Sequence, residues 1–293
     1  MIYAMHHIQA ACIVRHGYPR QARAFARLEP GSILIASCTS TRRGTSDRFV
    51  VADGRFRVEK SVVAFSYAGN ADAVLALAPC PVDARSRVLA AVFREDVSFT
   101  SDGTWSALGM RGTASVGGRF VGCGSVGQIL NDDYESIDRE TTLPVAHILL
   151  SSVWAGIAAE AVHRARSSCT GSERAAASRS LFRATTLIRR MRSSIENALN
   201  CFDAREASGG SDGAEFESVM NLLKIEVSKM GCDAVFEALS AGGMACYRDD
   251  TPWSVGRLLR DIVSAPIMIN NAIIEDRELA KIQDSPFVRD AVA

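Results

Sequence analysis

The period at which apolar residues recur changes near residue 140, and that switch constrains the fold more than any other feature of the chain. Before it lie short β-type runs: Ile33–Ala36, Arg48–Val51, Phe56–Val58, Val62–Phe65, Ala73–Leu77 and Val88–Val92. Gly, Asp, Asn and Pro punctuate them at intervals near the roughly 8–12 residues of all-β folds. Ala52-Asp53-Gly54-Arg55 is a hairpin signal, because Asp-Gly supplies the positive φ angles of a tight turn. Residues 31–135 therefore read as a β-barrel or sandwich domain.

After the switch the period is helical. Pro144 opens a long apolar helix that runs through Trp154 to Ala165. Ile188, Met191, Ile195, Leu199 and Phe202 make one stripe, with Arg189, Arg190, Arg192 and Glu196 mostly off it. Ser208–Gly213 is a break. Phe216, Met220, Leu223, Val227 and Met230 then share a face. A fourth helix is expected from Trp253 to about Leu279, interrupted at Pro266, which removes a backbone donor. Four helices over 140–285 predict an antiparallel bundle, and the fold class is α+β multi-domain. Ahead of the β-domain, residues 1–30 read as helical. Ile2, Met5, Ile8, Cys12 and Ile13 recur before Gly17-Tyr18-Pro19, and a second short helix carries Ala22, Phe25 and Leu28.

Composition narrows the partners. The 293 residues are 47% hydrophobic and 23% charged, and the net charge is zero, so no overall field draws nucleic acid or an anionic membrane. Lys60, Lys224, Lys229 and Lys281 are the only lysines, an Arg skew that reads as genome composition. Eight cysteines are scattered without a CxxC pair, which argues for reduced thiols and no metal site. No apolar run reaches the roughly 20 residues of a membrane span and no signal-peptide pattern opens the chain, so a cytoplasmic location is expected.

Between the two periods stands Trp105-Ser106-Ala107-Leu108-Gly109-Met110-Arg111-Gly112-Thr113-Ala114-Ser115. Together with Gly242-Gly243…Tyr247 and Arg257-Leu258-Leu259-Arg260-Asp261, this stretch resembles signatures of the acyl-CoA dehydrogenase family. The resemblance spans about 1–271. It implies a β-domain followed by a four-helix bundle, with 1–30 the remnant of an N-terminal helical domain that is largely missing. It also implies FAD, an acyl thioester of CoA or a carrier protein as substrate, and a homo- or hetero-oligomer with a family homologue.

The resemblance nominates cofactor-binding residues. Thr39, in Ser37-Cys38-Thr39-Ser40, matches a flavin-contacting Thr, with Ser37 beside it. The Glu-Pro that follows in the family is replaced by Ser40-Thr41, although Gly44-Thr45-Ser46-Asp47 keeps part of the next element. Ser66, in Ala64-Phe65-Ser66, retains the hydroxyl of a Trp-x-Thr. Hydroxyls suit the ring because its N5, O4 and O2 need donors; strand hydroxyls also commonly bond backbone or water. Arg166 matches a pyrophosphate-binding Arg, whereas the companion Gln position falls on Ser240. FAD retention is therefore expected to be weak, shared with another chain, or lost.

No catalytic residue can be named. Removing an α-proton from a thioester needs a positioned carboxylate. The family's Glu position lands on Ile269, and an alternative site on the first bundle helix lands near Ala158. Glu160 is about 200° around the helix from Ala158, and Glu275 and Asp276 read as surface charges. The dispersed histidines (His6, His7, His16, His147, His163) read as core or surface residues, and Gly118, Gly122 and Gly124 as β-turn markers. The Arg183–Arg192 stripe reads as a solvated face or a phosphate contact. Three functions follow: a flavin-dependent acyl-thioester dehydrogenase, a non-catalytic or half-site subunit partnering a complete homologue, and a flavin monooxygenase of the same fold.

Overall fold

The computed structural model of the chain describes residues 1–18, 33–40, 47–83, 85–169, 173–210 and 213–283. The expected short helix with Ala22, Phe25 and Leu28 and the Gly44-Thr45-Ser46 stretch lie outside these. Two compact units are present. The first comprises Met1–Ala107 and Arg111–Ala146; the second comprises Leu108–Met110 and the chain from His147 onward.

The first unit opens with α1 (Ile2–His16), followed by seven strands: β1 (Ile35–Cys38), β2 (Arg48–Ala52), β3 (Arg55–Phe65), β4 (Ala73–Pro79), β5 (Arg87–Phe93), β6 (Val97–Ser101) and β7 (Val116–Ser125). They form a three-stranded sheet in the order β1-β4-β5 and a four-stranded sheet in the order β2-β3-β7-β6. β1 and β4 run parallel; every other pair is antiparallel. Period-2 alternation divides β4 between two cores. Val74, Ala76 and Ala78 join Phe56, Val58, Val62, Phe65 and Phe120 in one cluster, while Ala73, Leu75 and Leu77 join Cys12 and Ile13 of α1 in the other. That double burial explains why β4 reads as a continuous apolar run.

The Asp53-Gly54 turn forms as expected, with φ of 50° and 73° joining β2 to β3 in register Ala52↔Arg55. Two sequence expectations change. Phe56–Val58 and Val62–Phe65 belong to one 11-residue strand, broken only by a register shift between Val62 and Phe65. Lys60 hides the continuity because it occupies an inward position. Its ammonium reaches Leu77 O at 2.7 Å and Asp47 at 3.3 Å while its stem is packed. Gly118, Gly122 and Gly124 are not turn markers but interior residues of β7. A Cβ at Gly118 would strike Thr100 O and the Phe99 ring. At Gly122 it would come within 2.9 Å of the Phe120 ring, and at Gly124 within 2.7 Å of Phe56.

A short helix α2 (Tyr134–Ile137) continues through a π-helical turn at Asp138–Thr142 into α3 (Leu143–Ser168). Then come α4 (Glu173–Ser208), α5 (Gly213–Tyr247), α6 (Gly256–Ile262) and α7 (Asn271–Gln283). The Tyr134–Ser168 stretch is long and apolar enough to span a membrane by length and composition alone. Its Trp154, Ala158, Ala161 and Ala165 are buried in the bundle. Ala184, Met191 and Ala198 form the buried seam of α4, seven residues apart, while Leu199 is exposed. The stripe expected on α5 is buried throughout: Phe216, Met220, Leu223, Val227 and Met230. The fourth helix is split into α6 and α7, the interruption expected at Pro266. The intervening turn carries Ile269 at φ +48°.

Candidate functional site

Three loop segments of the first unit are tied together by hydroxyls. At the end of β1, Ser37 Oγ and Thr39 Oγ1 are 3.1 Å apart, and Ser40 Oγ donates to Ala64 O at 3.1 Å. At the end of β3, Ser66 Oγ lies 2.7 Å from Ser115 Oγ, which lies 2.7 Å from Thr113 Oγ1. Tyr67 locks the three segments. Its N–H donates to Thr113 O at 2.8 Å, and its O–H donates to Ile35 O at 3.0 Å. That bridging demands φ +43° at a buried residue. Burial raises the phenol's pKa, so it stays a neutral donor.

Ser37, Thr39 and Ser66 are half-buried, whereas Ser115 and Thr113, linked to Ser66, are buried. Half-buried hydroxyls that are hydrogen-bonded to neighbours are pre-oriented yet partly accessible to solvent. Sequence reasoning nominated these three and missed Ser40, Tyr67, Thr113 and Ser115. Thr113 and Ser115 were already legible as part of the 105–115 motif; Tyr67 carried no signal, since its role depends on a backbone angle.

The same motif also serves the second unit. Gly109 lies flat on the Arg260–Asp261 backbone, where a Cβ would come within 2.8 Å of Asp261 Cα and closer still to the Arg260 carbonyl. Met110 N donates to Asp261 Oδ1 at 2.6 Å. These contacts explain why the Leu-Gly-Met and Arg-Asp motifs occur together.

Arg166 belongs to the second unit, apart in sequence and fold from the other three candidates. Exposed on α3, it lines one pocket with Arg189, Ser178, Thr185 and Thr186 of α4. Two guanidinium groups beside hydroxyls form a cationic pocket suited to phosphate. Of the Arg stripe, Arg183 pairs with Glu237 and Arg192 with Glu196, while Arg189 stands beside Arg166. Nearby, Gly242 is pressed against Cys246 and Ser168, and Gly243 breaks α5 with φ +51° and ψ −136°.

At the positions where the resemblance puts a base there is no carboxylate. Ala158 is fully buried, and Ile269 is half-exposed in a left-handed turn. Glu160 bonds Arg164 at 2.8 Å, and Glu275 bonds Lys229 at 2.6 Å. His16 is buried against Asp132 and Thr141, each at 2.7 Å, and His147 sits in the bundle core.

No family profile and no curated protein matches this chain. Solved structures do. An electron transferring flavoprotein structure from Acidaminococcus fermentans superposes with a TM-score of 0.81 at 14% identity, covering 97% of this chain and 78% of that one. TdsC from Paenibacillus sp. A11-2, solved with FMN and indole, gives 0.80 at 14% identity over 94% and 76%. A nitrososynthase from Micromonospora carbonacea var. africana gives 0.76 at 20% identity over 94% and 74%. At such identities the likeness establishes architecture alone, and the chain has the acyl-CoA dehydrogenase-like fold.

Proposed function

We propose that this chain is a flavin-binding oxidoreductase whose ring site is the hydroxyl-lined edge at Ser37, Thr39 and Ser66. The observation that carries the reading is the Tyr67 lock, which ties together the loop segments that bear these half-buried hydroxyls. A flavin there would supply two-electron transfer. The protein's part is to meet the ring's polar edge with donors. The Arg166–Arg189 pocket of the second unit, taken by itself, suits a phosphate group.

Within that class, the residues at 158 and 269 favour oxidation that needs no carboxylate base, such as oxygenation. α,β-Dehydrogenation of an acyl thioester of CoA or a carrier protein is the second reading; it needs a base that neither position supplies. Purified protein mixed with excess FAD or FMN and then desalted is expected to keep a flavin spectrum. Thr39→Val and Ser66→Ala are each expected to weaken retention about tenfold, from one lost hydrogen bond. Protein that stays colourless with both flavins overturns the reading and leaves a partner subunit of a complete homologue.

The proposal extends to oligomerisation. Phe182, 72% exposed, and Phe236, 51% exposed, line one groove between α4 and α5 with Arg183, Asp233 and Glu237. Two rings beside charges of both signs make a self-complementary patch for a second copy. Phe182→Asp is expected to shift sedimentation toward monomer; an unchanged monomer in both proteins excludes this face.

A further inference from the structure

The bundle core contains a cluster of hydrogen-bond donors that the flavin reading does not use. On α3, His147, Ser151 and Trp154 recur at i, i+4 and i+7, so they share one face. All three are buried to 1% exposure or less. On α5, Met220, Lys224 and Ser228 recur at i, i+4 and i+8 and are each fully buried. His147 Nδ1 bonds Met220 O at 2.9 Å, which sets these two faces against each other. The Lys224 ammonium lies 5.7 Å from the centre of the Trp154 ring. Helical side chains lean toward the N-terminus, so the indole covers the turn that carries Ser151.

The polar balance of this cluster does not close. Lys224 donates to the neutral Asn271 amide oxygen at 2.5 Å. Asn271 donates to Ser228 Oγ at 3.0 Å, and Ser228 donates to Ile225 O at 2.9 Å. Ser151 Oγ and Trp154 Nε1, both wholly buried, have no partner among the described residues. The carboxylate that acts on the ammonium, Glu275, is shared with a second lysine. Glu275 bonds Lys229, Glu278 bonds Asn221 and Lys281, and burial holds His147 at about 4, hence neutral. Burial also pushes Lys224 down to about 8, which leaves it charged at neutral pH. A buried ammonium hydrogen-bonded to a neutral amide is costly unless a counter-charge joins it.

We infer that Ser151, Trp154 and Lys224 frame a buried site for a small monatomic anion of the halide class. An indole N–H and an ammonium can only donate, so the ligand must accept. Close packing between helices favours a single spherical ion over a polyatomic one. Bound there, the anion neutralises Lys224 and ties α3 and α5 to Asn271 at the start of α7.

The test uses the full chain carrying Trp105→Phe and Trp253→Phe, which leaves Trp154 as the sole tryptophan. Its fluorescence is titrated with sodium iodide against sodium gluconate at constant ionic strength. The expected result is saturable quenching, whose half-saturating concentration rises about tenfold or more in Lys224→Met. Quenching that is absent, or linear and equal in both proteins, overturns the site. Should Lys224→Met fail to fold, Ser151→Ala removes a single donor and is expected to weaken iodide binding in the same direction. An anomalous peak beside Trp154 Nε1 in bromide-soaked crystals supports the site, and an ordered water in its place overturns it.

Discussion

The backbone N–H of Met110 donates to Asp261 Oδ1 at 2.6 Å across 151 residues of sequence, and Met110 holds φ +53° to do so. This bond joins the two sequence motifs that carry most of the resemblance. Asp261→Ala leaves a half-buried amide without its acceptor and is expected to cost about 1–3 kcal/mol. Asp261→Asn keeps an oxygen there and should cost less. Urea midpoints of the two variants against the parent check the order.

Gly109→Ala tests the same junction by volume. The added methyl would overlap the Arg260 carbonyl, a backbone group that no rotamer change can move. The expected loss exceeds about 2 kcal/mol, more than Asp261→Asn. A variant as stable as the parent would show that the Arg260–Asp261 backbone lies elsewhere.

Ser115 stands between Ser66 and Thr113 in the hydroxyl relay. Ser115→Ala is expected to cost about 1–2 kcal/mol, because two neighbours lose a partner. It should also loosen flavin without touching it, since Ser66 would no longer be held. Flavin dissociation constants of Ser115→Ala and Ser66→Ala should therefore move together.

Acid should weaken the fold through His147. Burial holds its pKa near 4 against an ordinary 6.5, with the Lys224 charge acting in the same direction. Between those values the unfolded chain binds a proton that the folded chain refuses. Stability from this group is full above pH 6.5 and falls by about 3 kcal/mol as pH drops to 4. Denaturation midpoints from pH 7 to pH 4 should show that slope, and His147→Gln should flatten it.

Ile269 occupies a left-handed backbone conformation that a β-branched residue adopts at a cost of roughly 1–2 kcal/mol. Ile269→Gly is expected to stabilise the protein by up to about 1 kcal/mol, after the glycine's own entropy loss. A lower melting temperature would show that the Ile269 side chain contributes more through packing than its backbone costs.

Legibility followed the range of the interaction. The Asp53-Gly54 hairpin, the buried stripe of α5 and the break at Pro266 depend on neighbours within a turn or two, and all were readable. The glycines of β7 were not: Gly118, Gly122 and Gly124 read as turns because their function is to admit rings from Phe99, Phe120 and Phe56. Lys60 likewise interrupted a strand pattern, although its position on the pleat is inward.

For the candidate site, a motif resemblance nominated Ser37, Thr39, Ser66 and Arg166. It did not predict that Tyr67 would hold three of these residues' loops, or that Arg189 would stand beside the fourth.

By itself, the sequence determined the helical and β periods, the tight turns and the places where helices must stop, because each follows from backbone sterics and local burial. The tertiary structure alone decided which hydroxyls meet, which glycine is a point of close approach and which lysine loses its water. Those outcomes depend on atoms brought together from distant parts of the chain. No local propensity encodes the desolvation that makes them matter.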